Sequence, residues 1–421
     1  MRSPEEWGSQ YLARFEYSGA TGRLIEMRRG AEDPTVWEYP SGGLYPSKMT
    51  TPDGLETHYT YDGQDRLTEV ETPVTGSPGV VYTYDAHGQL ETVTDALSRT
   101  TTFAYDDRGN MNAVTNGENE TTAFTHDAFS NVTSVTDPLN NTTEYEYDGS
   151  GCGSCSGGGR LTLIRDPLNN ETEFEYSSGG RLEKVTDPMG RVTEYEYTVD
   201  GRVEKISPPP GTSFVATELD YDPLGNVEER REPGGVTVTY VYDHLGNVTS
   251  VTDPVETTSY GYDGAGNLTS VTDGEGRTVQ YEYNANHRLT QVMDAAFKRV
   301  RYFYDGAGRM TSTGAGLHGT IDPVDYDYHP TTGLLEEVTY NNGSHSDTAE
   351  YIYDAAGQLV SMEDWILPAY VGATAPEWEY DGAGRLVKYT DYNAAEVTYV
   401  YDGAGRVTSM NDQRGQTTTY A

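Results

Sequence analysis

A repeat of about 21 residues constrains this chain more than any other feature of it. Tyr221, Tyr242, Tyr262, Tyr283 and Tyr304 open successive copies of one phrase, with steps of 21, 20, 21 and 21 residues. A fixed period in this range marks a repeat architecture, in which each unit is one supersecondary motif stacked on its neighbours. Residues 262–283 serve as the type unit. They open with the turn Asp263-Gly264-Ala265-Gly266. Asp at the first turn position accepts a backbone N–H two residues on, and Gly at the last takes positive φ without steric cost. A β-prone run over 267–272 follows, then a second turn over 273–276. Sister units carry Asp-Pro in this second turn, at Asp137 and Asp187, where Pro pre-sets φ. The closing run, 277–283, alternates: Val279, Tyr281 and Tyr283 share one face, and Thr278, Gln280 and Glu282 the other. Two strands and two turns per unit leave no room for a helix.

Composition matters because it first argues for disorder. Leu, Ile, Val and Phe make up under one-fifth of the 421 residues, and the net charge is −39. The 35 tyrosines reverse that reading, since they supply large apolar rings at strand period. The acidic balance excludes nucleic acid and anionic membrane surfaces as partners. The sequence has no apolar run of membrane-spanning length, and the N-terminus carries no signal-peptide pattern.

Along the chain, residues 1–60 are degenerate copies and 61–421 form the regular array. A ladder of tyrosines marks the units: Tyr61, Tyr84, Tyr105, Tyr147, Tyr176, Tyr197, Tyr221, Tyr242, Tyr262, Tyr283, Tyr304, Tyr353, Tyr380 and Tyr401. The rings of successive units are expected to stack. One turn is enlarged to a Gly/Ser loop over 148–160, and an apolar insertion interrupts the array at 361–376. The ends read as cut rather than capped, so the expectation is a segment of a longer protein.

The phrase Y-D-x-x-G-[N/R]-[L/V]-T-S-V-T-D-P, seen at Tyr242 and nearly at Tyr262 and Tyr401, resembles the YD repeat of the Rhs (rearrangement hot spot) family. The likeness runs from Tyr17 through the whole chain. It implies an all-β fold in which tandem antiparallel hairpins form one long sheet wound into a hollow shell or an open shell segment. It also implies a role in enclosing a C-terminal toxin of a secreted bacterial protein. Related repeats occur in teneurin cell-surface proteins. The self-cleaving segment and variable toxin domain that often end such shells are not found after Tyr401.

Candidate chemistry is sparse. No metal or triad spacing joins the eight histidines, and no separate catalytic domain, catalytic set, metal site or cofactor is expected. Glu144/Glu146, Glu173/Glu175 and Glu194/Glu196 read as a solvated face that would form like-charge ladders if units stack in register. Cys152 and Cys155 form either a local loop disulfide or two free thiols. Trp365, Ile366, Leu367 and Tyr370, within the insertion, form a candidate plug or partner contact. The expected function is a structural, non-enzymatic shell segment, secreted or at a bacterial cell surface, that encloses or presents a toxin or effector domain of its parent. The alternative is a surface module that binds carbohydrate or a receptor.

Overall fold

The structure, a computed structural model, describes residues 14–28, 33–76, 78–149, 159–211, 215–316, 322–341, 346–364 and 374–420. These form one sheet of 37 strands, β1 to β37, with no helix among the described residues. Each strand pairs antiparallel with its neighbours in sequence, as in β15 (Glu171–Tyr176), β16 (Leu182–Thr186) and β17 (Val192–Tyr197). All hairpins that follow a ladder tyrosine therefore bend at one edge of the ribbon, here the YD edge. The alternate hairpins bend at the opposite edge, here the TD edge.

Local turn chemistry sets this meander. At the YD edge, the Gly266 N–H donates to the Asp263 carbonyl at 3.0 Å, and Gly266 sits at φ +87°. The Asp263 Oδ1 accepts the N–H groups of Ala265 and Asn267, both at 2.9 Å, and its Oδ2 accepts the Asn267 amide at 2.8 Å. The TD turn at Asp187 is built alike, with Met189 and Arg191 donating to Oδ1 and the Arg191 Nε to Oδ2 at 2.6 Å. One carboxylate thus satisfies three donors of a type I turn closed by a left-handed residue. The edges differ in one respect: the YD hairpins carry a β-bulge, as at Gly261/Tyr262, whereas TD hairpins such as β16–β17 pair regularly. Bulges increase local twist.

Register then determines how the ribbon winds. Glu173 faces Thr186 and Thr186 faces Val192, yet the equivalent of Glu173 one unit later is Glu194. Each unit of two strands therefore slips by two residues. At ~3.3 Å per residue and ~4.8 Å per strand the strands lean by about 35° from the perpendicular to the ribbon edge. A leaning, twisted ribbon coils instead of running straight.

The pairing also corrects the expected like-charge ladders. Lys184 lies between Glu175 and Glu194 in one row, at 3.9 and 3.8 Å. Arg165 reaches Glu144 at 2.6 Å and Glu171 at 2.8 Å. At these positions the strand between two acidic ones contributes the basic side chain, so unlike charges face each other, whereas Glu146 and Glu173 flank the apolar Leu163.

The wall is one layer thick. Among the described residues few apolar side chains are buried, chiefly Val338 and Ala349, 3% and 6% exposed, with Pro376. Along β13 (Thr142–Tyr147), Thr143, Tyr145 and Tyr147 are half-buried while Glu144 and Glu146 are exposed. Stability therefore rests on backbone pairing, turn capping and contacts along the edges, not on a conventional core.

Candidate functional site: the turn edges and the seam

Each of the fourteen ladder tyrosines is the last residue of its strand, at the YD edge. There the backbone ladder to the preceding strand has run out, and the phenol takes over. The Tyr242 hydroxyl donates to the Val227 carbonyl at 2.8 Å, Tyr262 to Val248 at 2.9 Å, and Tyr401 to Leu386 at 2.7 Å. The same bond recurs at Tyr61, Tyr84, Tyr105, Tyr147, Tyr197, Tyr221, Tyr304 and Tyr380. The tyrosine thus staples one YD turn to the next. Removing only the hydroxyl tests this. Tyr242→Phe is expected to cost ~1 kcal/mol, one net hydrogen bond, and to raise local hydrogen exchange near Val227 and Tyr242 while leaving distant units unchanged.

The rings do not meet as expected. Equivalent tyrosines are two strands, ~9.6 Å, apart, whereas ring pairs need ~4.5–7 Å. An arginine fills the gap: Arg66 stacks over Tyr84 and Arg309 over Tyr328 at 4.6 Å, and Arg385 over Tyr401 at 4.9 Å. Each of these arginines also donates its Nε to the aspartate that opens its own turn. Asp, Arg and the next Tyr form a linked chain that runs along the edge.

That edge meets a second surface. The Arg385 Nη1 lies 3.1 Å from the Glu120 carboxylate, 265 residues away, and the Arg309 Nη1 lies 2.8 Å from Asp53. Glu118 accepts the Gly382 N–H at 2.6 Å, and the Arg99 Nη1 donates to Gln358 at 2.7 Å. Asp53, Arg99, Glu118 and Glu120 all sit on TD turns, whereas Arg309, Gln358, Gly382 and Arg385 sit on YD turns. The Glu120 turn joins β10 (Met111–Thr115) to β11 (Thr121–His126), and the Arg385 turn joins β33 (Glu377–Tyr380) to β34 (Leu386–Thr390), 23 strands later. The ribbon completes a circuit in about that span and seats its YD edge on the TD edge of the first circuit. This seam converts a strip into a wall.

The seam is tight as well as charged. A methyl group at Gly117 would overlap the Gly382 carbonyl oxygen, and one at Gly403 would touch Pro138 and Leu139 at 3.2 and 3.4 Å. Arg385 keeps an elevated pKa although burial lowers it, because Asp381 and Glu120 both hold its proton.

The turn carboxylates of Asp137, Asp187 and Asp263 are held below their ordinary range. The Arg191 N–H is the main cause at Asp187; at Asp137 and Asp263 it is the Asn141 and Asn267 amides. The folded chain therefore binds fewer protons than the unfolded chain on acidification through these groups. Their contribution is complete above the unfolded value of about 3.8 and is lost as pH falls through the lower folded values. Thermal unfolding followed by circular dichroism is expected to show a melting temperature that drops steeply below about pH 4, and more steeply than in a chain with its turn aspartates replaced by asparagine.

Cys152, Cys155, Trp365, Ile366, Leu367 and Tyr370 lie outside the described residues. The strands flanking that last group, β32 (Leu359–Asp364) and β33, are joined in the narrow register Ser361–Glu377. Among the described residues no group of three His, Cys, Asp or Glu is placed to hold a metal ion, and no helix is long and apolar enough to cross a membrane.

Comparison with known proteins agrees with this geometry. A family model for the teneurin YD-shell matches residues 211–367 and 277–421, and one for the RHS repeat matches 46–77, 84–121 and 126–151. The chain belongs to the Rhs/YD-repeat family. A search of curated proteins gives no match. Among solved structures, the Tc holotoxin pore of Photorhabdus luminescens is similar over 97% of this YD-repeat chain, at 15% identity and a TM-score of 0.60. The TcdB2–TccC3 complex is similar over 96%, also at 15% and 0.60. At that identity the likeness concerns the fold. The chain spans 28% and 26% of those two solved chains.

Proposed function

We propose that this chain is a wall segment of a hollow shell that encloses or presents a C-terminal toxin or effector domain of its parent protein, outside the cell that makes it. The seam is the observation that carries this reading. An open ribbon with both edges free holds nothing, whereas circuits seated edge on edge form a barrier that a polypeptide cannot cross between strands. The similarity to Tc toxin chains supports the same role. The wall acts mechanically in this reading: turns set the curvature, tyrosines staple units, and arginines tie one circuit to the next. No step of it calls for catalysis.

Protease protection of a cargo tests the proposal. The full-length parent chain is treated with a nonspecific protease, before and after the seam is weakened by Arg309→Ala with Arg385→Ala. The cargo is expected to survive in the intact protein and to be cleaved in the variant, with the wall strands themselves still resistant. Cargo cut at the same rate in both, and as fast as the free cargo domain, would overturn the enclosure reading.

A further inference from the structure

The YD turn at His329 departs from its neighbours. Asp354 caps the next YD turn along the ribbon, with its Oδ1 accepting the N–H groups of Ala356 and Gln358 at 2.9 Å each. Asp381 and Asp402 do the same further on. At 329 the cap is an imidazole: Nδ1 accepts the N–H groups of Thr331 and Thr332, both at 3.2 Å. Only an unprotonated Nδ1 has the lone pair this requires, so the bonds select the neutral ring protonated on Nε2. A protonated ring would point an N–H at two other donors. Carboxylate caps keep their acceptors down to about pH 4, whereas histidine changes charge between about pH 5 and 8.

The turn also lies on the seam. It carries Gly333, whose Cα faces the Leu55 side chain of the first circuit, beside the Arg309–Asp53 ion pair. A cleft of about 400 Å³ on one side is lined by His329 and, from the first circuit, Val74. A second of about 470 Å³ lies between Pro330 and Thr331 on one side and Leu55 and His58 on the other. The turn therefore has solvent access and room to move.

We propose that the His329 turn is a pH-sensitive latch on the seam, closed while its imidazole is neutral and loosened when it is protonated. The sign follows from the cap. Protonation of Nδ1 removes the lone pair that the Thr331 and Thr332 N–H groups share, so closure is favoured at higher pH and weakened as pH falls. The charged and titratable groups around the turn are Glu336, Tyr351, Tyr353 and Asp354 from its own circuit, Glu56, His58 and Glu71 from the first, and the Arg309–Asp53 pair. The acids attract a proton in either state, so they shift the pH of the transition without reversing it. His58 lies 3.4 Å from Glu56. That contact lies within the first circuit, although His58 also lines the cleft at the seam, and the His58→Gln variant separates its effect from that of His329. The latch is a property of the wall and holds whether or not the shell carries cargo.

Hydrogen exchange of the full chain, corrected for intrinsic rates, tests this at about pH 7.5 and about pH 5.5. Protection of peptides spanning 329–334 and of their seam partners around 53–58 is expected to fall about tenfold at the lower pH. His329→Asn copies the amide cap that Asn284 already provides, accepting from Asn286 and Arg288 at 2.9 and 3.0 Å. It is expected to abolish the change, and His58→Gln to preserve it. A wild-type chain whose protection is independent of pH, a fall that persists in His329→Asn, or one that vanishes in His58→Gln would each overturn the latch. If His329→Asn fails to fold, His329→Gln, which also keeps a side-chain acceptor that does not titrate, is expected to abolish the change, and a fall that persists in it overturns the latch.

Discussion

Gly117→Val is expected to open the seam locally while leaving every strand in place. Gly117 sits in a TD turn of the first circuit, and its φ is not in the left-handed region, so valine is conformationally acceptable there. What valine cannot do is share space with the Gly382 carbonyl oxygen of the second circuit. Backbone cannot yield as a flexible side chain does. Overpacking of this kind costs about 1–3 kcal/mol, which shifts the closed-to-open ratio of this stretch by roughly 5- to 160-fold. Exchange protection around 116–120 and 381–385 is expected to fall together, with circular dichroism unchanged. The same substitution at Gly264, with nothing within 4 Å of its Cβ position, is expected to leave exchange as it was. Equal effects at the two positions would mean that the circuits do not touch.

Arg385→Ala is the second large effect. This one guanidinium holds its own turn through Asp381 at 2.7 Å, stacks on Tyr401 and bridges to Glu120. A charge-assisted bond, a cation–π contact of ~0.5–1 kcal/mol and a largely covered ion pair together give an expected loss of about 2 kcal/mol. Arg277→Ala is the matched control. Arg277 makes the same bond to Asp273 at 2.7 Å, yet its side chain is 64% exposed. Its removal is expected to cost under about 0.5 kcal/mol. Lysine at 385 keeps the charge but loses the planar fork, so it is expected to fall between the two. Denaturant unfolding, with exchange to locate the loss, separates these outcomes.

The strands and both turns were readable from sequence because their causes are local. Asp263 and Asn267 lie four residues apart, and the whole capping scheme of the turn is contained between them. The ladder tyrosines could be placed at strand ends for the same reason. Their hydroxyl bonds were not foreseen, although most reach about 15 residues back, to the start of the strand after the preceding YD turn, with longer spans such as 21 at Tyr380. Ring stacking and like-charge ladders were both expected on the assumption that units stack in register. The two-strand unit defeats both. It puts a whole strand between like positions, and that strand brings Lys184 between Glu175 and Glu194. The seam could not be read at all. Glu120 and Arg385 are ordinary surface charges in their own units, and what joins them is curvature accumulated over 23 strands, to which each unit adds only a little.

Cross-linking across that seam tests the central claim most directly. Arg99→Cys and Gln358→Cys place thiols where two side chains meet at 2.7 Å from positions 259 residues apart, with Cys152→Ser and Cys155→Ser removing the native cysteines. Treatment with a short bis-maleimide, followed by peptide mass spectrometry, is expected to recover a linked 99–358 pair in high yield from the folded chain and none after denaturation. The control pair Arg191→Cys with Gln358→Cys, on a TD turn beyond the described seam, is expected not to link. Absence of the 99–358 link in a folded chain, or equal linking of the control pair, would contradict a wall built from circuits seated edge on edge.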